Sequence, residues 1–409
     1  MPVTHGSPVS YRARWVFPVD QPPIENGVVT VAGNQIVSVG TKGTESTWID
    51  LGNVAILPAL VNAHTHLEFS LFDQPFGSPG QSFATWLQQV VAWRRQQPAV
   101  IGQESLALAK GLQECADCGV ASIGEICTPM FAEIWGGNAR EDSHVRFLEL
   151  LSLNPERVAP LGALAEEFTS VGDPPSLTLR ASRGLSPHAP YTVHPDILAR
   201  AVQLSAERQF PVAMHLAESR EELELLDSQT GPLVELLKSL AAWYPDSLSK
   251  GLRPLDYLQT LSRAQRSLVA HGNYLRADEI EFLAEHRESM SVVYCPRTNA
   301  HFDHDPYPLA ALLQAGVRVA VGTDSRASNP DLSIWNELRF VREKYPQVDP
   351  ASILKMGTLA GAEALGLGEQ LGSITPGKAA ALVTLDLPED NNDAAESIFS
   401  LASSPRLLQ

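Results

Sequence analysis

The spacing of apolar and polar positions changes twice along the chain. Over the first fifty residues, short apolar runs (Ala13–Phe17, Gly27–Ala32 and Gln35–Val39) are separated by glycines and Asn34. That punctuation predicts hairpin or small-sandwich strands. From Val54 the rhythm lengthens. Eight strand-like runs follow: Val54–Val61, Val120–Ile126, His144–Leu151, Leu177–Leu185, Pro211–Met214, Ser267–Ala270, Met290–Tyr294 and Val317–Val321. Between them, Ser82–Arg95, Glu104–Cys115, Pro195–Glu207, Arg220–Leu226, Asp278–His286 and Leu309–Gln314 repeat apolar residues every three or four positions, as helices do. Eight βα repeats over about 300 residues predict a (β/α)8 (TIM) barrel, with Asp227–Leu261 as an insertion between its fifth and sixth strands. After Thr358, tight turns and short strands return. The expected organisation is an α/β chain with a barrel over residues 58–357 and a small β-sandwich domain formed jointly by residues 1–57 and 358–409.

Composition narrows the partners. The chain has 409 residues, a net charge of −17, and ordinary globular proportions of 44% hydrophobic and 19% charged residues. Such an acidic surface gains no long-range attraction to nucleic acid or to an anionic membrane. The first residues lack a basic stretch followed by an apolar one, and no apolar run reaches the roughly 18 residues of a membrane span. Four cysteines are too few for a disulfide framework, which points to a reducing compartment and hence the cytoplasm.

The candidate chemistry lies at the ends of the predicted strands. His64 and His66, two positions apart, share one face of a strand and can converge on one point. Glu68 stays on that face if the strand continues. The fourth run leads into Ser186-Pro-His188, the fifth ends in His215-Leu-Ala-Glu218, the sixth in His271-Gly-Asn273, and the eighth in Gly322-Thr-Asp324-Ser-Arg326-Ala-Ser328-Asn329. Barrel enzymes build their sites on this rim. His64, His66, His215 and Asp324 offer three nitrogens and one oxygen to a single divalent ion, Zn2+ or alternatively Fe2+, leaving a position open for water. Water bound there would ionise near neutral pH. A rival pattern, His66-Leu-Glu68 with Cys115-Ala-Asp-Cys118, superficially fits cytidine-type zinc deaminases. Glu114 rather than proline precedes Cys115, however, and the pair closes a helix away from the rim, so buried structural cysteines are the better reading.

Several segments in order complete the picture: Leu57-Pro-Ala-Leu-Val-Asn-Ala-His64-Thr-His66, Pro187-His188-Ala-Pro-Tyr-Thr, His215-Leu-Ala-Glu218-Ser, His271-Gly-Asn, Cys295-Pro-Arg-Thr-Asn299, Gly322-Thr-Asp324-Ser and Gly372-Ser-Ile-Thr-Pro-Gly-Lys378. Together they resemble the amidohydrolase superfamily over nearly the whole chain, and within it the branch of metal-dependent deaminases and chlorohydrolases. The resemblance implies that His64, His66, His215 and Asp324 are metal ligands. It implies a proton shuttle at Glu218, orientation of the attacking water by His271, acceptance of its proton by Asp324, and a substrate contact at His188. Glu68, Trp86, Ser328 and Asn329 are further expected substrate contacts. The fourth strand lacks the lysine that binuclear members carboxylate, which implies one metal ion.

The implied reaction is hydrolytic deamination of an aromatic N-heterocycle. Chloride removal or guanine- or triazine-type deamination on the same site is the alternative, and a catalytically silent homologue with an assembly role is a third reading. Leu67-Glu68-Phe-Ser70, Ser82–Leu87, Gly119–Gly124 and Phe147-Leu-Glu149 are most similar to the subgroup that deaminates an adenine nucleoside joined to a benzoate, in menaquinone biosynthesis. A cation should then meet the carboxylate, and Arg220, Arg297 and Arg326 in rim loops are the candidates. The partners expected are a small heterocyclic substrate and, at most, a second copy of the chain as a homodimer. Two departures bear on the small β domain: Ala381 stands where the family carries aspartate, and the chain stops at Pro405–Gln409 without the Val-rich strands that normally follow.

Overall fold

Strands rich in buried Val, Ala and Leu pair in chain order into one sheet. They are β1 (Leu60–His66), β2 (Val120–Cys127), β3 (Val145–Leu150), β4 (Ser182–Pro187), β5 (Pro211–Leu216), β6 (Arg266–His271), β7 (Met290–Tyr294) and β8, which comes in two pieces, Val319–Val321 and Asp324–Ser325. The computed structural model describes residues 7–43, 47–96, 102–135, 144–170, 182–389, 393–400 and 403–408. Every residue of β5 and β7 is buried, so these strands read as continuous apolar runs rather than alternating ones. The first piece of β8 pairs in parallel with β7 and the second with β1, through Asp324 opposite Thr65. Only Gly322 and Thr323 separate the two pieces, which joins the ends of the ribbon and fits a (β/α)8 barrel. Glycine is required at 322: a Cβ there would lie 2.8 Å from the His64 Cβ and carbonyl oxygen.

By contacts the chain divides into two compact units, residues 63–112 with 123–332, and residues 1–62 with 113–122 and 333–409. In the second of these, one sheet runs Gln35–Gly40, Val28–Ala32, Val9–Arg12, Ile49–Asp50. The other runs Arg406–Leu407, Leu382–Asp386, Val54–Pro58, Trp15–Val16, Ile24–Glu25 and so draws on both chain ends. Val29 and Ile36 of one sheet share an apolar core with Val16, Ile56 and Leu382 of the other. At Ala381 the backbone is engaged: Ala59 N donates to its carbonyl at 2.9 Å.

The expected first strand, Val54–Val61, is two strands. Val54–Pro58 pairs antiparallel with Leu382–Asp386, and the barrel strand begins at Leu60 and carries both histidines. Both pieces are buried nearly throughout, so no polar residue marks the seam. The expected fourth run starts at Leu177, but 177–181 lie outside the described residues, and the strand seen is Ser182–Pro187. Phe83–Gln96, Gln103–Asp117, Pro195–Arg208, Arg220–Ser228, Ala277–Glu285 and Leu309–Gln314 are helices within two residues of the expected bounds. The Asp227–Leu261 insertion contributes the helices Pro232–Ser239 and Pro254–Leu261. All four cysteines are free, and no helix among the described residues is long and apolar enough to cross a membrane.

Candidate active site

Two strand ends, those of β1 and β5, and the second piece of β8 bring the predicted ligands together. His66 Nε2 lies 3.3 Å from His215 Nε2. Asp324 Oδ1 lies 3.7 Å from His64 Nε2 and 3.6 Å from His66 Nε2. Donor atoms of His64, His66 and Asp324 all fall within 4.8 Å of one another, as do those of His64, His215 and His271. Ligands at 2.0–2.1 Å around a tetrahedral ion stand about 3.3 Å apart, so these separations suit one divalent metal. Protonation states agree. Burial is the first cause that pushes His66, His215 and His271 below the ordinary imidazole range, and it takes His188 down to about 3. Neutral imidazole is the ligating form.

The orientation of the ligands is fixed from outside. His215 Nδ1 donates to the His188 carbonyl at 2.9 Å, which leaves the Nε2 lone pair facing the site. Ser328 Oγ donates to Asp324 Oδ2 at 2.7 Å, which leaves Oδ1 toward the histidines. Three residues here hold left-handed backbone without being glycine: Ala217 at φ 53°, His271 at 69° and Asp324 at 56°. Such conformations persist only where surrounding bonds impose them. Thr65 Oγ1, for example, donates to the Asp324 carbonyl at 2.9 Å.

Beside the ligands lies a cavity with two unlike walls. Phe83, Trp86, Leu87 and Val90, from the helix Phe83–Gln96, form an apolar side, while Glu218, His271 and His188 join the ligands on the polar side. A flat heterocycle needs this pairing of a greasy face and convergent polar groups. Glu218 is buried and its carboxyl is pushed well above the carboxylate range, first by burial and then by Asp324, Glu222 and Glu221. His271 Nε2 is 3.4 Å from Glu218 Oε1 without the alignment of a hydrogen bond.

The other expected contacts scatter. Trp86 and His188 line the cavity. Glu68 does not: the strand ends at His66, residues Leu67–Phe69 form a 3-10 turn, and Glu68 ion-pairs with Arg94. Ser328 and Asn329 are buried supports, the latter donating to the Thr323 carbonyl at 2.8 Å. None of the three expected arginines lines the cavity. Arg220 pairs with Asp305 over the Tyr274 ring, and Arg297 grips Asp331 with two nitrogens at 2.8 and 2.6 Å. Arg326 donates to the carbonyls of Phe72 and Pro330. Each is held by a loop partner, and apart from Pro330 these partners are distant in sequence and unreadable until the chain is folded.

Three groups were not anticipated as functional. Arg94 and Glu149 line the cavity, with Glu149 Oε1 3.9 Å from His188 Nε2. Glu125, buried on β2, accepts the Leu67 N–H at 2.8 Å. A carboxylate inside an apolar strand run is itself a signal, since burying it costs free energy without a partner. Arg94 carried none, because a basic residue in the last turn of a helix is ordinary. A second cavity of about 290 Å³ shares Leu87, Arg94 and His188 with the first. Leu236, Leu237 and Leu240 wall it, Arg157 stands at its rim, and no acidic residue lines it.

The model of the amidohydrolase family matches residues 178–407. An aminodeoxyfutalosine deaminase of Deinococcus radiodurans is 30% identical over 331 residues, 76% of this chain and 73% of its own. A 5-methylthioadenosine/S-adenosylhomocysteine deaminase of Moorella thermoacetica is 28% identical over 388 residues, 91% of this chain and 84% of its own. The crystal structure of Helicobacter pylori aminofutalosine deaminase superposes with a TM-score of 0.80 at 23% identity, covering 98% of both chains. With a family match across more than half of its length and a relative 30% identical over three quarters of it, the chain belongs to the amidohydrolase family.

Proposed function

We propose that this chain is a metal-dependent deaminase of adenine-type nucleosides, built on a (β/α)8 barrel with a β-sandwich drawn from both chain ends. The observation that carries the reading is the convergence of His64, His66, His215 and Asp324, with Glu218 and His271 lining the cavity beside them. Three imidazoles and a carboxylate suit zinc, which when bound makes water nucleophilic at neutral pH.

The chain's own residues do the rest. Phe83, Trp86 and Val90 hold the ring and exclude water from its face. Glu218, kept protonated by burial, donates to the ring nitrogen beside the amine-bearing carbon; the proton taken from the attacking water passes to the departing amine, and Glu218 regains its own from the hydroxyl that becomes the product's carbonyl. His271 orients the attacking water, and Asp324, held in place by Ser328, accepts its proton.

The second cavity supports a choice of substrate. Deaminases among the relatives act on adenine nucleosides with different 5′ extensions. Apolar walls with Arg157 at the rim suit an aryl group ending in a carboxylate, as in aminodeoxyfutalosine. They offer no acid to meet the ammonium of S-adenosylhomocysteine. Among the described residues no carboxylate pairs with Arg157. This reading places the chain in menaquinone biosynthesis.

The test is ammonia release from aminodeoxyfutalosine, 5-methylthioadenosine, S-adenosylhomocysteine and guanine, with chloride release from a chlorotriazine alongside. Aminodeoxyfutalosine should give the highest kcat/KM. Arg157→Met should lower that value about tenfold or more, one charged hydrogen bond's worth, and leave 5-methylthioadenosine unchanged. An equal loss on both substrates refutes the assignment of Arg157, and no ammonia from any adenine nucleoside refutes the deaminase.

A further inference from the structure

The segment His215-Leu-Ala-Glu218-Ser-Arg-Glu-Glu222 must turn from strand β5 into the helix Arg220–Ser228 within four residues. Ser219 caps that helix conventionally, its Oγ accepting the Glu222 N–H at 3.1 Å. A glutamate at the third helical position usually reaches back to the N–H of the cap residue itself. Glu222 reaches further. Its Oε1 accepts the Ala217 N–H at 2.8 Å and its Oε2 accepts the Glu218 N–H at 2.9 Å. Ala217 is the residue held in the left-handed region, so the carboxylate pins the strained peptide that aims Glu218 into the cavity.

The opposite side of the same residue is also held. Asn273 Nδ2 donates to the Glu218 carbonyl at 2.8 Å, and Asn299 Nδ2 donates to Asn273 Oδ1 at 3.0 Å. Both backbone groups of Glu218 are therefore bound by buried side chains, one from the helix after β5 and one from the turn after β6. Glu222 itself is fully buried, and among the described residues no basic side chain pairs with it. Burial lifts its carboxyl to about 7. A buried acid without a cation is costly, and helix capping does not require one, because Ser219 already supplies the cap. Two acceptor oxygens aimed at consecutive N–H groups do require a carboxylate. A glutamine would turn its NH2 against one of them.

We propose that Glu222 is a positioning residue for Glu218, clamping the turn that presents it, with Asn273 as the other jaw. The proposal rests on Glu218 as the proton shuttle. The experiment compares Glu222→Gln, Ser219→Ala and Asn273→Ala as zinc-loaded enzymes, on the adenine nucleoside that the native enzyme deaminates fastest. Glu222→Gln should lower kcat about 30- to 100-fold, the scale of a small misplacement of a reacting group. KM should stay within about twofold and zinc stoichiometry unchanged. Ser219→Ala should lower Tm while keeping kcat within about twofold, which separates loss of a cap from loss of aim.

Native kcat in Glu222→Gln overturns the proposal, as does a loss matched by Ser219→Ala at equal Tm. If Glu222→Gln does not fold, Asn273→Ala must show the same fall in kcat at constant KM, and an unchanged kcat there overturns the clamp. If Glu218→Gln keeps its turnover, the shuttle assignment fails and the clamp fails with it. If Glu218→Gln is dead while Glu222→Gln is fully active, only the clamp fails.

Discussion

Replacing Ser328 by alanine tests whether the ligand shell is held from outside. Ser328 Oγ donates to Asp324 Oδ2 at 2.7 Å, is wholly buried, and lies 3.1 Å from Thr298 Oγ1. The substitution removes one hydroxyl and leaves a carboxylate oxygen without its donor in a dry site. A hydrogen bond to a charged group is worth about 1.5–3 kcal/mol. At 1.4 kcal/mol per decade, that corresponds to a loss of about 10- to 150-fold in whatever equilibrium needs Asp324 ionised and oriented. Supports of metal ligands lose affinity on a similar scale, roughly 10- to 100-fold. In the metal-free protein Asp324 can relax, so most of the loss should fall on metal binding. Competition against a chromophoric chelator should show the zinc Kd raised about 10- to 100-fold. Metal-free Tm should move by no more than about 4 °C, a change near 1 kcal/mol. An unchanged zinc Kd would refute the reasoning. So would a metal-free Tm that falls far enough to explain the whole effect.

Two further outcomes follow from the same geometry. Glu218→Gln should bind zinc stoichiometrically and lose about 10²- to 10⁴-fold in kcat, the usual contribution of a positioned acid–base group; steady-state kinetics beside metal analysis checks it. His304 tests a pH dependence away from the ligands. Its pKa is pushed down to about 4, first by burial, and its Nδ1 stands 3.1 Å from Tyr274 Oη. A depressed imidazole gives stability that is present in full above its unfolded value near 6.5 and is lost as pH falls toward 4. His304→Asn should therefore flatten the fall of Tm between pH 6.5 and 4 relative to the native chain. Parallel melting curves would sink this.

Much of the site was readable because a parallel barrel sheet collects the carboxyl ends of its strands on one rim. His64, His66, His215, Glu218, His271 and Asp324 stand at or just beyond the ends of apolar runs; all but His64 line one cavity, and His64 lies beside them. What could not be read depended on partners brought in by folding. Arg297 looked like a free rim cation until Asp331 is placed against it. The seam between Val54–Pro58 and Leu60–His66 was hidden because both strands are buried. Ser328 and Asn329 sit in a loop that reads as substrate-facing, yet their side chains turn inward to hold Asp324 and Thr323.

Glu68 shows how a single buried acid redirects a motif. Strand geometry continued past His66 would keep Glu68 on the metal face. Glu125 prevents this by accepting the Leu67 N–H, a donor that a longer strand would have given to its neighbour. The chain turns into the Leu67–Phe69 segment, and Glu68 leaves the histidines for Arg94. That has a consequence for substrate choice. Arg94 borders both cavities, but Glu68 already neutralises it, and Glu149 adds a further carboxyl to the lining. An anionic tail arriving there would have to displace a carboxylate already in place. Arg157 also lines the larger cavity, and among the described residues no carboxylate pairs with it. On the proposed reading, Arg94 is held by Glu68 where it borders both cavities, and Arg157 is left to meet the charge on a substrate's tail.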